Sequence, residues 1–358
     1  MKALVLKRPG VLEVEEVEPF KPRDNQVTVK VDACGICGSD LRYMAGENPW
    51  ALHTLGRQLP NPPNIILGHE YCGEVVEVVR PEDGDLLGQR VAVCSFRTCG
   101  RCPACKNGHI NVCKNTVHMG HGAGWGTMDL YPGAMAQYAL GWADTVFPLP
   151  PEISSEEAAL LDPLVAGLHA AKLPRMTPGG TAVIFGGGPI GSAIMQSVRA
   201  LGAGRVIVTD IYSKAKELAG ELGAWAVLDG RSEGLVGEVM SVTGGHGAEA
   251  VFDTVGTPGS FDQGLHMLAE TGTLVIMAVH AGQISFDGLR LSAERKITTS
   301  SNAMLEDYQQ ALDLMASGAL KVRPWITHTF SLDEAPKAFE ILREKEKHNA
   351  FKALVLPG

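Results

Sequence analysis

From residue 181 the chain reads Thr-Ala-Val-Ile-Phe and then Gly186-Gly187-Gly188-Pro189-Ile190-Gly191, an apolar strand that breaks into glycines and reopens as a helix. Few architectures use that junction. A strand ending in G-x-G-x-x-G lets backbone N–H groups and a helix N-terminus come close to a diphosphate. Asp210 closes the next strand nineteen residues after Gly191. A carboxylate there holds ribose hydroxyls and repels a 2′-phosphate. Gly186, Gly188, Pro189, Ile190, Gly191 and Asp210 together predict a dinucleotide site that prefers NAD to NADP.

The rhythm on either side sets the fold class. Strands over 181–185, 205–209, 249–252 and 272–279 alternate with helices running to 202 and over 213–222, which predicts βαβ units and a parallel sheet. Ser154-x-x-Glu157 is a capping box that opens a helix ahead of this region. Before residue 150 the pattern is different. Short Val/Leu/Ile runs over 2–6, 11–17, 26–33, 72–79 and 90–94, broken by Gly, Pro, Asp or Asn, predict a closed or sandwich-like β domain. Residues 44–64 read as a long loop, 118–133 as a Gly-rich one. After about 300 come helices near 304–317 and 333–346 and a strand over 351–356, in which Lys-Ala-Leu-Val-Leu repeats residues 2–6. A chain of 358 residues accommodates two domains at about 150 residues each.

Four cysteines, Cys99, Cys102, Cys105 and Cys113, fall inside fifteen residues. Thiolates at this spacing supply all four corners of a tetrahedral structural zinc site. The seven-residue gap before Cys113, and Lys114 after it, argue against an iron–sulfur cluster. Upstream, Cys37 and the pair His69-Glu70 offer a second donor set. An open catalytic zinc needs three protein ligands and a free position, and Glu70 and Asp162 compete for the third. Asp162-Pro163 also reads as a helix N-cap followed by proline at the first helical position. Cys34, Cys72 and Cys94 lie in apolar runs and read as core thiols. Phe252-Asp253-Thr254-Val255-Gly256 reads either as a cofactor contact or as a plain strand-end turn.

Net charge is −9, which argues against nucleic acid as a partner. No apolar run approaches the ~20 residues of a membrane span. The start lacks a secretory signal pattern, so a cytoplasmic location is expected, where cysteines serve as thiols and metal ligands.

The order and spacing of Ala33-Cys-Gly-Ile-Cys37-Gly-Ser39-Asp40, Gly68-His69-Glu70, Gly88-Gln-Arg-Val91, the four-cysteine lobe, Gly133-Ala-Met-Ala-Gln-Tyr138 and Gly186–Gly191 resemble the zinc-dependent medium-chain dehydrogenase/reductase family over nearly the whole chain. The resemblance implies an α/β protein: a GroES-like β-rich catalytic domain from residues 1–150 and 300–358, and a Rossmann NAD-binding domain with a doubly wound parallel sheet from 151–299. It implies two zincs per chain, one held by Cys99, Cys102, Cys105 and Cys113. The other is catalytic and held by Cys37 and His69, with Glu70 as a ligand or holding zinc-bound water and Asp162 beside them. Ser39 takes the substrate's hydroxyl proton, and hydride passes from a secondary alcohol to NAD. Homodimers or homotetramers are expected.

Two departures from the family pattern bear on the substrate. Arg42 stands where many relatives place a relay histidine, and arginine stays protonated. Asp162 stands where the polyol branch has Glu and the classical alcohol branch Cys, which keeps the chain nearer the polyol and threonine branch. Polar loop residues Arg42, His53, Arg57, His118 and His121 suit a polyol or sugar. The alternatives are L-threonine, a simpler alcohol, or a non-catalytic zinc- and nucleotide-binding module.

Overall fold

Alternating burial along Gln26–Gly35, with Lys30 and Asp32 turned out and Val27, Val29 and Val31 turned in, makes this strand the spine of the first unit. In the computed structural model, which describes residues 1–278 and 282–358, that unit comprises Met1–Asp162, Met304–Ala316 and Val322–Gly358. Its main sheet runs in the order Val146–Pro148, Arg90–Val93, Glu70–Val78, Gln26–Gly35, Lys352–Leu356, Ile326–Ser331, with Tyr138–Trp142 also paired to Gln26–Gly35. Pairing is antiparallel except between the last two strands. A smaller sheet joins Val11–Glu16, Lys2–Arg8 and Ile65–Ile66. The two Lys-Ala-Leu-Val-Leu strands thus lie in different sheets. Lys2 reaches Asp333 at the surface, whereas Lys352 is buried.

The capping box is formed: Ser154 Oγ accepts from Glu157 N and Glu157 Oε2 accepts from Ser154 N, opening the short helix Ser155–Ala158. Asp162 does not cap a helix. It lies in the first turn of Leu161–Ala171, one residue inside its start. The expected loop over 44–64 contains one wide helical turn, Ala51–Leu55.

The second unit, Pro163–Ala303 with Ser317–Lys321, is built on a six-stranded parallel sheet. Its order is Ala226–Asp229, Arg205–Asp210, Thr181–Phe185, Ala248–Asp253, Leu268–Ile276, Lys296–Thr299. Parallel neighbours need crossovers, and helices such as Pro189–Ala200, Ser213–Glu221 and Pro258–Met267 provide them. Thr181–Phe185 is where the strand order reverses direction, and ligands of doubly wound sheets bind at the carboxyl end of such a strand. The strand expected over 272–279 runs as Leu268–Ile276, and position 279 lies outside the described residues. Among the described residues no helix is long and apolar enough to cross a membrane.

Candidate functional site

Cys37 caps the helix Gly38–Met44, and its backbone N–H donates to Asp40 Oδ2 at 2.8 Å, so the thiol's position is fixed by a helix start. His69 and Glu70 open the neighbouring strand Glu70–Val78 after a tight turn at Gly68. That turn requires glycine: φ is +95°, and a Cβ would stand 2.6 Å from Cys34 Sγ and 2.8 Å from Met135 N. A helix start and a strand start thus bring one donor atom each of Cys37, His69 and Glu70 within 4.8 Å of one another. Ser39 Oγ lies 3.5 Å from His69 Nε2.

Asp40 is fully buried, with Oδ1 3.7 Å from His69 Nδ1. Burial works against a charge on His69, but Asp40, Cys37 and Asp162 outweigh it and push its pKa up to about 10. Anionic groups gathered this closely around an imidazole make a place for positive charge. His69 Nδ1 and Asp40 Oδ1 are buried without hydrogen-bond partners. Thiolate, imidazole and carboxylate are the donor types that suit zinc, so these residues could hold it.

Two further residues complete the surroundings, and spacing in the sequence points to neither. Lys352 Nζ lies 2.8 Å from Glu70 Oε1 and 2.6 Å from Oε2, with both side chains buried. Burial disfavours the ammonium, yet Glu70, Cys37 and Asp40 hold its pKa above 10.5. Tyr308, from the helix Leu305–Ala316, donates to Asp162 Oδ1 at 3.3 Å. Burial raises the Asp162 pKa to about 6. Asp162 senses His69 and Glu70 electrostatically but stands outside the close set of Cys37, His69 and Glu70.

The polar loop residues divide. Arg42 is paired with Glu47 at 2.7 Å, and His53 and Arg57 are exposed. His118 and His121 are buried against His69 instead, with ring centroids 5.8 and 4.5 Å from it. Burial and the neighbouring imidazoles lower both, His118 to about 3 and His121 well below its usual value. Cys34, Cys72 and Cys94 are buried thiols whose pKa values burial pushes up.

In the cysteine lobe all four sulfurs lie within 4.8 Å of one another. Cys102–Cys105, Cys113–Cys99 and Cys102–Cys113 are 3.5, 3.6 and 3.9 Å apart. The edges of a zinc–sulfur tetrahedron are about 3.8 Å when each bond is ~2.3 Å. The backbone N–H groups of Arg101 and Cys102 pull the Cys99 thiol down, while burial pushes its neighbour Cys113 up. The lobe fits zinc.

In the second unit Gly188 caps the helix Pro189–Ala200, with Pro189 and Ile190 in its first turn. A Cβ on Gly191 would meet the carbonyl oxygen of Gly186, while nothing lies within 4 Å of a Cβ on Gly188. The turn is therefore packed on one side and open on the other, as a diphosphate cradle must be. Asp210 accepts from Gly187 N at 2.6 Å and Tyr212 N at 2.8 Å, which fixes its carboxylate beside the cradle. Asp253 accepts from Val255 N, Gly256 N and Ser260 Oγ, so the turn at 252–256 has a structural role of its own.

Comparison with known proteins agrees with this architecture. Residues 23–151 match the model of the alcohol dehydrogenase GroES-like domain, and residues 189–317 that of the zinc-binding dehydrogenase. The chain is 30% identical to a sorbitol dehydrogenase of Bacillus subtilis over 100% of its own length and 98% of that protein's. It is 32% identical to an L-threonine 3-dehydrogenase of Pyrococcus abyssi over 96% and 95%. The crystal structure of a zinc-binding dehydrogenase from Sinorhizobium meliloti bound to NADP superposes with a TM-score of 0.85 at 29% identity, covering 99% of each chain.

Proposed function

This chain belongs to the zinc-dependent medium-chain dehydrogenase/reductase family, and we propose that it oxidises a secondary alcohol, a polyol or sugar, with NAD as acceptor. The observation that carries the reading is the close set Cys37, His69 and Glu70 with Ser39 Oγ 3.5 Å from His69 Nε2. A binding module has no use for a hydroxyl placed beside an open donor set. Zinc bound there supplies a Lewis acid that makes the substrate hydroxyl easier to ionise, and NAD bound at the glycine turn supplies the hydride acceptor.

The remaining work falls to the chain's own side chains. Cys37 and His69 would hold the metal, and the buried Asp40 carboxylate, its Oδ1 3.7 Å from His69 Nδ1, sets a negative charge beside the His69 ring. Lys352 neutralises Glu70, so that Glu70 stands close as a reserve donor without repelling substrate oxygen. Glu70 or Asp162, the latter held by Tyr308 outside the close set, would supply the third ligand. Ser39, which is only half-buried, would take the substrate's hydroxyl proton as its own O–H proton passes to water. Arg42 cannot pass it on, because guanidinium stays protonated and this one is engaged by Glu47. Cys99, Cys102, Cys105 and Cys113 hold a second, structural zinc. Asp210 selects NAD by pairing with ribose hydroxyls where NADP carries phosphate. The assembly is a homodimer or homotetramer, readable by light scattering.

The likeness to threonine dehydrogenases at 32% identity supports L-threonine as the second reading. The test is NADH formation by zinc-loaded protein over polyols, aldoses, L-threonine and simple secondary alcohols, with Ser39→Ala alongside and metal content measured. Turnover on polyols or sugars that collapses in the variant is expected, with two zincs per chain. Exclusive turnover of threonine replaces the substrate assignment. No turnover in a protein holding one zinc refutes the enzymatic reading.

A further inference from the structure

Two buried histidines have no part in this scheme. His118 and His121 stack with centroids 4.1 Å apart and planes 17° apart, and each is under a tenth exposed. His118 Nδ1 lies 2.8 Å from the carbonyl oxygen of Met119. A carbonyl only accepts, so Nδ1 carries the proton and this nitrogen is engaged. His121 is different: neither of its ring nitrogens has a partner, although both are buried. An unpaired buried polar atom costs about 1–3 kcal/mol, and this ring carries two, with its centroid 4.5 Å from that of His69.

The neighbours of His121 do not relieve it. The Tyr43 ring is 4.9 Å away, but its hydroxyl already bonds Asn48 Oδ1 and Trp50 N. His118 offers His121 a ring face, not a hydrogen bond. A neutral imidazole has one donor and one acceptor. Its match is a group that also donates and accepts, which a hydroxyl does and a carboxylate or phosphate does not.

We propose that His121 is a specificity-determining residue whose ring nitrogens pair with uncharged hydroxyls that the substrate carries beyond the carbon being oxidised. His118 positions it by stacking. This deepens the functional reading above and rests on His69 marking the reaction centre. It assigns the substrate as a vicinal diol or longer polyol.

The test compares 2,3-butanediol with 2-butanol, which shares the carbon skeleton and lacks the second hydroxyl, in wild type, His121→Phe and His121→Asn. Binding of 2,3-butanediol to the zinc-loaded, NADH-bound protein is measured by calorimetry in parallel. In His121→Phe the diol-to-monoalcohol ratio of kcat/KM is expected to fall roughly tenfold or more, chiefly through KM, and diol affinity to fall in step. Asparagine keeps a donor and an acceptor and restores most of both. An unchanged ratio overturns the proposal, and so does an equal loss on both alcohols, which marks His121 as structural. If wild type oxidises neither alcohol, the panel above decides the functional reading and the calorimetry decides on His121 alone. Diol binding lost in His121→Phe then supports the assignment, and no diol binding to wild type refutes it.

Discussion

Replacing Lys352 by methionine takes away the ammonium that faces Glu70 and leaves the carboxylate among Asp40, Cys37 and Asp162. The pair is 4% and 1% exposed, with Nζ–O distances of 2.6 and 2.8 Å. Removing one partner of a buried pair costs about 3–5 kcal/mol, whereas replacing both with apolar groups of similar volume is close to neutral. Lys352→Met is therefore expected to destabilise the first unit by roughly 3 kcal/mol or more, and Lys352→Met/Glu70→Met to recover most of it. The sign of the pH dependence follows from the raised pKa of Lys352. Its contribution is fully present below 10.5 and is lost only as pH rises through the higher folded value, so pH 7 reads the whole effect. The assay is urea unfolding of the four proteins of this cycle, all zinc-free so that loss of the cysteine lobe's metal cancels. Of the five tryptophans only Trp225 lies in the second unit, so a Trp225→Phe background makes fluorescence report the first. A single-variant cost below about 1 kcal/mol, the range of exposed ion pairs, would refute the reasoning. So would a double variant no more stable than the single.

Three further outcomes follow from the geometry. Cys102→Ser breaks the sulfur tetrahedron, so metal analysis should show one zinc fewer per chain and limited proteolysis should open the segment 99–113. Asp210→Gly removes the acceptor for Gly187 and Tyr212 N–H and the charge facing a 2′-phosphate. The NADP-to-NAD ratio of kcat/KM should rise at least roughly tenfold, the size of one charge-assisted hydrogen bond, and an unchanged ratio removes Asp210 from cofactor selection. His118 sits at about 3 in the folded protein against a usual 6.5. Its neutral form thus supports the fold above pH 6.5, and that support is lost as pH falls toward 3. Between pH 6.5 and 5 this is roughly 1.5 kcal/mol, and zinc-free His118→Phe should show a correspondingly shallower acid loss in its urea midpoint.

Much of this architecture is legible in the sequence. Thr181–Phe185 was read to the residue, and Ser213–Glu221 and Leu305–Ala316 to within one, because each pairs a clear apolar period with glycine, proline or polar stops. Tyr138–Trp142, Ala226–Asp229 and Lys296–Thr299 carry no such signal in the sequence. They are short, and the last two take their strand character from neighbours in the sheet, not from alternation of their own. The close set at the site was visible as Cys37 with His69-Glu70. Asp40 was readable in principle, as the third residue after a helix cap. Tyr308 and Lys352 were not, since only tertiary folding brings a helix and a strand from the end of the chain to residues near its beginning. Lys352 shows the limit most plainly: the pentapeptide that exposes Lys2 buries Lys352, and nothing in those five letters distinguishes the two.

The Lys352–Glu70 pair also has a bearing on timing. Its members are 282 positions apart, and chains are made and fold from the N-terminus onward. Cys37, His69 and Glu70 leave the ribosome early, yet the charge that quiets Glu70 comes only when Lys352–Leu356 docks beside Gln26–Gly35 through Leu354 and Val355. Until then Glu70 lacks the ammonium that faces it in the folded protein. Compensation of Glu70 therefore waits on a contact made 282 positions after it.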